Sequence, residues 1–186
     1  MYPICRMIRV ALYQWRKPKL ATLTEECVAS MRAYPSDCDL NRHINNGRYL
    51  TLMDIGRGQL FIGQRMVRSF MGSGLNVVAT SAHILFRRSI PLWGRFELHT
   101  RIAGIYERFL LIEQRFTYRG KTAAQAYVKI AFVNQSGIVL TEVASNQLGL
   151  NLPDTVWPPL PAAAAGMETI DAAILTKLGS SSEIQG

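Results

Sequence analysis

Residues 36–54 read SDCDLNRHINNGRYLTLMD, and a change of period inside this stretch orders the rest of the chain. Asp39, Asn41 and His43 stand at every second position, two asparagines follow, and an apolar run begins after Gly47. In an extended segment a period of two sends all three polar side chains to one side. Tyr49, Met53, Gly56 and Leu60 then recur at helical spacing, with Leu50, Asp54, Arg57 and Phe61 as the adjacent stripe. Asn45 or Asn46 is a natural N-cap for that helix. The polar cluster therefore lies at a helix N-terminus, where unpaired backbone N–H groups and the helix dipole favour an anion. A carboxylate, an amide, an imidazole and a helix start together suit attack on a carbonyl.

On either side of this stretch the period is two. Residues 26–34 form a first strand, in which Cys27, Ala29, Met31 and Ala33 alternate with Val28, Ser30, Arg32 and Tyr34, and Pro35 ends it. The helix carries Gly56, Gly58 and Gly63, each costing about 1 kcal/mol against alanine, which points to another backbone close by and so to burial against a sheet. After Gly72 and Gly74 come four strand-like runs, at 76–87, 96–102, 110–117 and 124–132. Short breaks between them favour antiparallel neighbours. One face of these strands is apolar, and the other carries Glu97, Arg101, Glu113, Arg115 and Lys129, both signs, as cross-strand pairing requires. The expected fold is α+β: a curled antiparallel sheet around one long central helix.

Length and composition agree. The chain has 186 residues, 48% hydrophobic and 18% charged, with a net charge of +8. That suits one domain with a sizeable core. The basic balance favours anionic partners, but no compact Lys/Arg block with interleaved aromatics marks a nucleic-acid surface, so none is expected. Cys5, Cys27 and Cys38 make an odd count without a CxxC pair, which suits a reducing, cytoplasmic compartment and argues against a disulfide framework or a zinc site. Cys38 reads as a small core residue.

We divide the chain into a basic N-terminal segment, 1–24, a principal domain, 25–150, and a Pro/Ala-rich tail, 151–186, with a short helix over 167–178 and a disordered end, GSSSEIQG. The first segment has too many charges for a signal peptide or a membrane span. Ile8, Ala11, Leu12 and Trp15 recur at helical spacing in it. Such a basic amphipathic helix can pack on its own domain, meet a dimer partner, or make peripheral contact with a membrane.

Asp37, Asp39 and Asn41 match the first three ligand positions of a calcium-binding EF-hand loop, but Arg42 and Arg48 stand where that loop needs its turn glycine and bidentate glutamate. Zinc is equally unsupported, since Asp39 and His43 lack a thiolate or a second clustered histidine. His83 reads as a satisfied sheet histidine, and His99 as a member of the charged face. A purely structural reading of the loop, with its Asp and Asn side chains capping the helix, remains open for each residue taken singly.

The segment DCDLNRHINNGRYL resembles the D-x-D-x-N-x-H-x-N-N-x-x-Y motif of hotdog-fold acyl thioesterases. It is similar to plant acyl-carrier-protein thioesterases and to the 4-hydroxybenzoyl-CoA thioesterase-like group. The resemblance runs from about Glu26 to about Gly149. It implies that Asp39, Asn41 and His43 are active, with Asp54 as an acidic residue further along the helix; Asp54 falls one residue earlier than the plant acid and is alternatively a partner for Arg57 or Arg48. Hotdog enoyl hydratases carry D-x-N-P-x-H, and the shorter D-L-N-R-H here favours hydrolysis over hydration.

The expected reaction is hydrolysis of acyl-CoA or acyl-carrier-protein thioesters, without metal or redox cofactor. Asp39 would act as general base or as nucleophile, Asn41 would position water or the carboxylate, and His43 would orient the network. Backbone N–H groups near Asn46 and Gly47 would hold the oxyanion. The acyl chain would lie between helix and sheet, and Arg87 and Arg88, with Arg95, would meet the carrier's phosphates. Open sheet edges lead us to expect a homodimer or homotetramer. The alternative is a non-catalytic hotdog module that binds acyl ligands or a partner protein.

Overall fold

The computed structural model describes residues 3–149 and 162–182. In chain order the elements are α1 (Ile4–Trp15), β1 (Cys27–Arg32), a short 3-10 turn (Pro35–Asp37), α2 (Asn46–Gly63), α3 (Val67–Phe70), β2 (Asn76–Phe86), β3 (Arg95–Ile105), β4 (Leu110–Tyr118), β5 (Lys121–Asn134), β6 (Gly137–Val139), α4 (Thr141–Leu148) and α5 (Ala162–Ser182). The strands form one antiparallel sheet in the order β1-β3-β4-β5-β2, with β6 added to β5 at Phe132–Asn134. This is the hotdog arrangement, α+β and not a closed barrel.

The alternation read from the sequence sets which side of each strand is buried. Cys27, Ala29 and Met31 of β1, Leu98 and Ile102 of β3, Ile112 and Phe116 of β4, and Ala126, Val128 and Ile130 of β5 are all buried. Tyr49, Leu52, Met53, Ile55 and Leu60 of α2 are buried with them. Each fully buried large apolar side chain contributes about 1.5–3 kcal/mol, so burial between α2 and the sheet is a large stabilising term. Gly56 is where backbone and sheet come closest: a Cβ there would sit 2.5 Å from Thr100 Oγ1 and 2.8 Å from Leu98 Cδ2. The explanation does not extend to the other two helix glycines, because Gly58 faces open space and Gly63 meets Leu20 and Gln14 of the N-terminal segment.

A polar network crosses this interface. Arg57 Nη1 donates to Gln114 Oε1 (2.8 Å), and Gln114 Nε2 donates to Met53 O (3.0 Å) and Thr100 Oγ1 (3.1 Å). Buried polar groups of this kind are tolerated because they are bonded.

The outer face of the sheet departs from expectation. Arg101 does pair with Glu113 directly across the β3–β4 ladder (2.8 Å), and His99 bonds Glu26 on the same charged face. Around Leu111, however, the face is apolar and covered: Ala164 and Met167 of α5 pack there with Ala103, Tyr106, Phe109 and Tyr127. Asp171 of α5 accepts from Lys129 Nζ and Ser81 Oγ, both at 2.8 Å, and lies 3.9 Å from His83. Helix α5 is longer than the short helix expected, and Gly179–Ser182 of the expected disordered end fall within it. The proline-rich segment 151–161 and the last four residues lie outside the described residues.

Helix α1 is present, but it packs with a different face. Val10 and Gln14 are buried on the α2 side, where Gln14 accepts from Gln59 Nε2 (3.1 Å), and Arg6 is buried against Asp37 and the Arg32 carbonyl, while Ile8, Leu12 and Trp15 face outward. A charged and an amide side chain go inward because both find partners there, and apolar periodicity alone cannot foresee that.

Candidate active site

The site is built on a loop between β1 and α2 that is held from below by a carboxylate. Asp37 is fully buried, and its side chain accepts from Arg6 Nη2 of α1 (2.7 Å), the Tyr34 amide (3.0 Å) and Arg48 Nη2 (3.3 Å). Burial pushes the Asp37 carboxyl up, yet the hydrogen bonds from Arg6, Tyr34 and Arg48 and the Arg6 charge together hold it below the usual carboxylate range. Its carbonyl accepts from the Asn45 amide (2.9 Å). On the other side Ile44 N–H donates to Ile90 O (2.9 Å) and Leu92 N–H to Arg42 O (2.8 Å). The loop is thus stapled to the turn preceding β3. The sequence does not disclose this role of Asp37: Asp37 and Asp39, two positions apart, are both visible in it, but which one is buried is a tertiary outcome.

The segment from Asp39 to His43 is a tight turn, where an extended run was expected. Cys38 bridges Ile44, Asp39 N–H donates to His43 O (3.1 Å), and Arg42 takes a left-handed conformation at φ 59°. The turn places Asp39 and His43 opposite each other, with His43 Nδ1 3.7 Å from Asp39 Oδ1. Both are partly exposed. Asp39 Oδ1 accepts the Asn41 amide (2.9 Å), and Oδ2 has no hydrogen-bond partner among the described residues. Asn41 is exposed at the tip of the turn, and no hydrogen bond joins its side chain to Asp39 or His43. The structure therefore brings two of the three motif side chains together.

Asn45 is the N-cap: its Oδ1 accepts the Gly47 amide at 2.9 Å. One of the two expected oxyanion donors is thereby occupied, and the Asn46 amide is the one left without a hydrogen bond among the described residues. Asp54 lies further along α2, 45% exposed, and pairs with Arg57 one turn on. The alternative reading of that residue, a partner for Arg57, matches this geometry. Arg87 and Arg88 follow β2 with exposed side chains, their amides donating to Ala123 O (2.8 and 3.0 Å); among the described residues no hydrogen bond or ion pair joins either side chain to Asp39 or His43. Burial, then the nearby Asp37 and Asp39 charges, push the Cys38 thiol up, so it is a poor thiolate nucleophile. Among the described residues no three His, Cys, Asp or Glu side chains converge to hold a metal ion.

The antiparallel sheet against a central helix is the fold of solved hotdog thioesterases. Residues 34–162, more than half of the chain, match the thioesterase-like superfamily, and the chain belongs to that family. Protein THEM6 of Xenopus laevis is 32% identical over 100 residues, 54% of this chain and 48% of that protein, so the chain spans about half the length of the curated relatives it matches. Among solved structures, a probable thioesterase from Bartonella henselae superposes with a TM-score of 0.58 at 22% identity, covering 62% of this chain and 98% of the other. A Staphylococcus aureus protein solved in complex with CoA superposes with a TM-score of 0.58 at 16% identity, covering 75% and 94%. At these identities the superpositions establish the fold.

Proposed function

We propose that this chain hydrolyses acyl thioesters carried on coenzyme A or on an acyl-carrier protein, with Asp39 as the reacting carboxylate. The observation that carries the reading is the Asp39–His43 pair, held at 3.7 Å on a stapled turn immediately before the α2 N-terminus. Asp39 Oδ2 is open to accept a proton from water, or to attack the carbonyl carbon itself. In the first route the water oxygen bonds to that carbon, the carbonyl electrons move to oxygen, and the oxyanion collapses to expel the thiolate. The Asn46 amide and the helix dipole face the developing charge; one good donor of this kind contributes about 3–4 kcal/mol. His43 Nδ1 lies 3.7 Å from Asp39 Oδ1 and 3.4 Å from Ile44 O, so the imidazole would orient the Asp39 carboxylate through a bridging water. Asn41, exposed at the turn tip, would reach the acyl carrier or the attacking water, and Arg87 and Arg88 would meet its phosphates.

The active unit would be at least a homodimer. Strand β2 ends the sheet and carries exposed Val78, Leu85 and Phe86, an edge that a two-fold copy would extend. Residues 25–150 form the hotdog unit in this reading, with 1–24 and 151–186 as additions to it. Leu85→Glu should dissociate the dimer in sedimentation equilibrium; a wild type that is monomeric at micromolar concentration would refute the assembly.

The second reading, acyl binding without turnover, draws support from the Asn45 cap, which occupies the Gly47 amide. A thiol-release assay across acyl-CoA chain lengths and an acylated carrier protein separates the two. Release that depends on Asp39 supports hydrolysis; saturable acyl-CoA binding with no release supports the binding module.

A further inference from the structure

We infer that helix α1 and the adjoining α3 form a docking face for an anionic phospholipid surface. The inference goes beyond hydrolysis and does not depend on it. Ile4, Ile8, Leu12 and Trp15 lie along one side of α1 and are 56%, 50%, 53% and 57% exposed. Ile8, Leu12 and Trp15 belong to the apolar stripe read from the sequence, whose fourth member, Ala11, borders the groove beside it. The face continues past the helix. An apolar groove of about 430 Å³ opens between α1, α2 and α3, bordered by Met7, Ala11, Phe61, Val67 and Met71. A smaller hollow of about 320 Å³ joins Trp15 to Val67 and Arg68. Met71 is among the most exposed apolar side chains of the protein. A continuous apolar surface of this kind marks an interaction site.

Charge selects the occupant. Residues 1–24 and 55–96 contain no Asp or Glu. Around the apolar stripe stand exposed Arg16, Lys17, Lys19, Arg65 and Arg68. Arg65 also donates to the Trp15 and Lys17 carbonyls (3.3 and 2.7 Å), which fixes the end of α1 against the body of the protein. A second copy related by a two-fold axis would bring this basic rim against itself. A negatively charged lipid surface satisfies both halves: apolar side chains enter the headgroup–acyl boundary, the cations meet phosphates, and Trp15 sits at the depth tryptophan prefers. Among the described residues no helix is long and apolar enough to cross a membrane; the one-sided exposed apolar stripe of α1 is what suits lying in the headgroup region.

The test is co-sedimentation of the full chain with vesicles of phosphatidylcholine alone or with about 30% phosphatidylserine, at about 0.05 M and about 0.5 M salt. The expected result is binding to the anionic vesicles at low salt, release at high salt, and a blue shift of Trp15 emission that Trp15→Phe removes. Ile8→Glu/Leu12→Glu should weaken partition by at least about tenfold, and Arg68→Glu alone by several-fold. Circular dichroism would verify that the variants fold, as expected for exposed positions; the Arg68→Glu and Trp15 readouts stand even if the double variant does not. Wild-type protein that stays in the supernatant overturns the inference. So does binding that persists in the double variant, or a dimer abolished by the same double change without any vesicle binding, which would give the face to a second copy.

Discussion

Asp39→Asn separates the two things Asp39 does in this structure. Its Oδ1 accepts the Asn41 amide at 2.9 Å and so closes the turn; asparagine Oδ1 can accept the same bond. Its negative charge lies 3.7 Å from His43 Nδ1 and leaves Oδ2 open to a water; asparagine can neither accept that proton nor attack the carbonyl. With the turn bond retained and the side chain partly exposed, the stability change should stay within about 0.5 kcal/mol, ordinary for a surface position, or about 2 °C in Tm. Turnover should fall by about 10²–10⁴, the range for loss of a positioned base. The assay is continuous thiol release with a chromogenic thiol reagent, beside a thermal melt of the same sample. KM should move little, because asparagine keeps the shape of the site. Asp54→Asn should be milder, since that carboxylate is engaged with Arg57. Near-wild-type turnover in Asp39→Asn would refute the mechanism, and a larger loss in Asp54→Asn would transfer the base to α2.

Three further outcomes follow from the packing. Asp37→Asn leaves Arg6, only 6% exposed, without its anionic partner, and should destabilise by about 3–5 kcal/mol in urea unfolding; Arg6→Met added to it should recover part of the loss, and a neutral single variant would show the pair to be dispensable. Gly56→Ala forces a Cβ to within 2.5 Å of Thr100 Oγ1, so overpacking of about 1–3 kcal/mol should outweigh the helix-propensity gain of about 1 kcal/mol and lower Tm; a raised Tm would show that the α2–sheet gap relaxes. Asp37 and Asp171 both titrate below the ordinary carboxylate value when folded: burial raises each, but Arg6 on the first and Lys129 and Ser81 on the second outweigh it. The stability they contribute is therefore complete above the unfolded pKa near ~4 and is lost as pH falls through the folded values, so urea midpoints should be flat above that pH and fall below it, and less steeply in Asp171→Asn; an unchanged acid limb in that variant would remove Asp171 from the account.

The motif was legible because its chemistry is local. D-x-N-x-H before an apolar helix places a carboxylate and an imidazole near a helix start whatever the rest of the chain does, and the structure seats Asp39 and His43 there. The shape of the turn was not legible. Period-two spacing fits an extended run, but Asx bonding by Asp39 and the left-handed Arg42 fold the same residues back, so Asn41 lands at the tip and away from the pair. The N-cap choice between Asn45 and Asn46 was open in the sequence; the structure selects Asn45 because the Asp37 carbonyl holds its amide and aims its side chain at Gly47.

Alternation and helical period by themselves determined the strand β1, the helix α2 and strands β2 to β5, together with the inward faces of β1 and β3 to β5, because an apolar face must be buried and period decides which residues share it. What only tertiary structure decided concerns residues whose partners are distant in sequence. Asp37 became an anchor because Arg6 arrives from α1, 31 positions away. Leu111 and Tyr127 ceased to be outward residues because α5 returns over the sheet and is fastened by Asp171 to Ser81 and Lys129. The apolar stripe of α1 stayed outside while Arg6 and Gln14 went inward, where the Arg6–Asp37 ion pair and the Gln14–Gln59 hydrogen bond offset the cost of burying them. Periodicity records which residues share a face; it does not record whether that face has something to pack against.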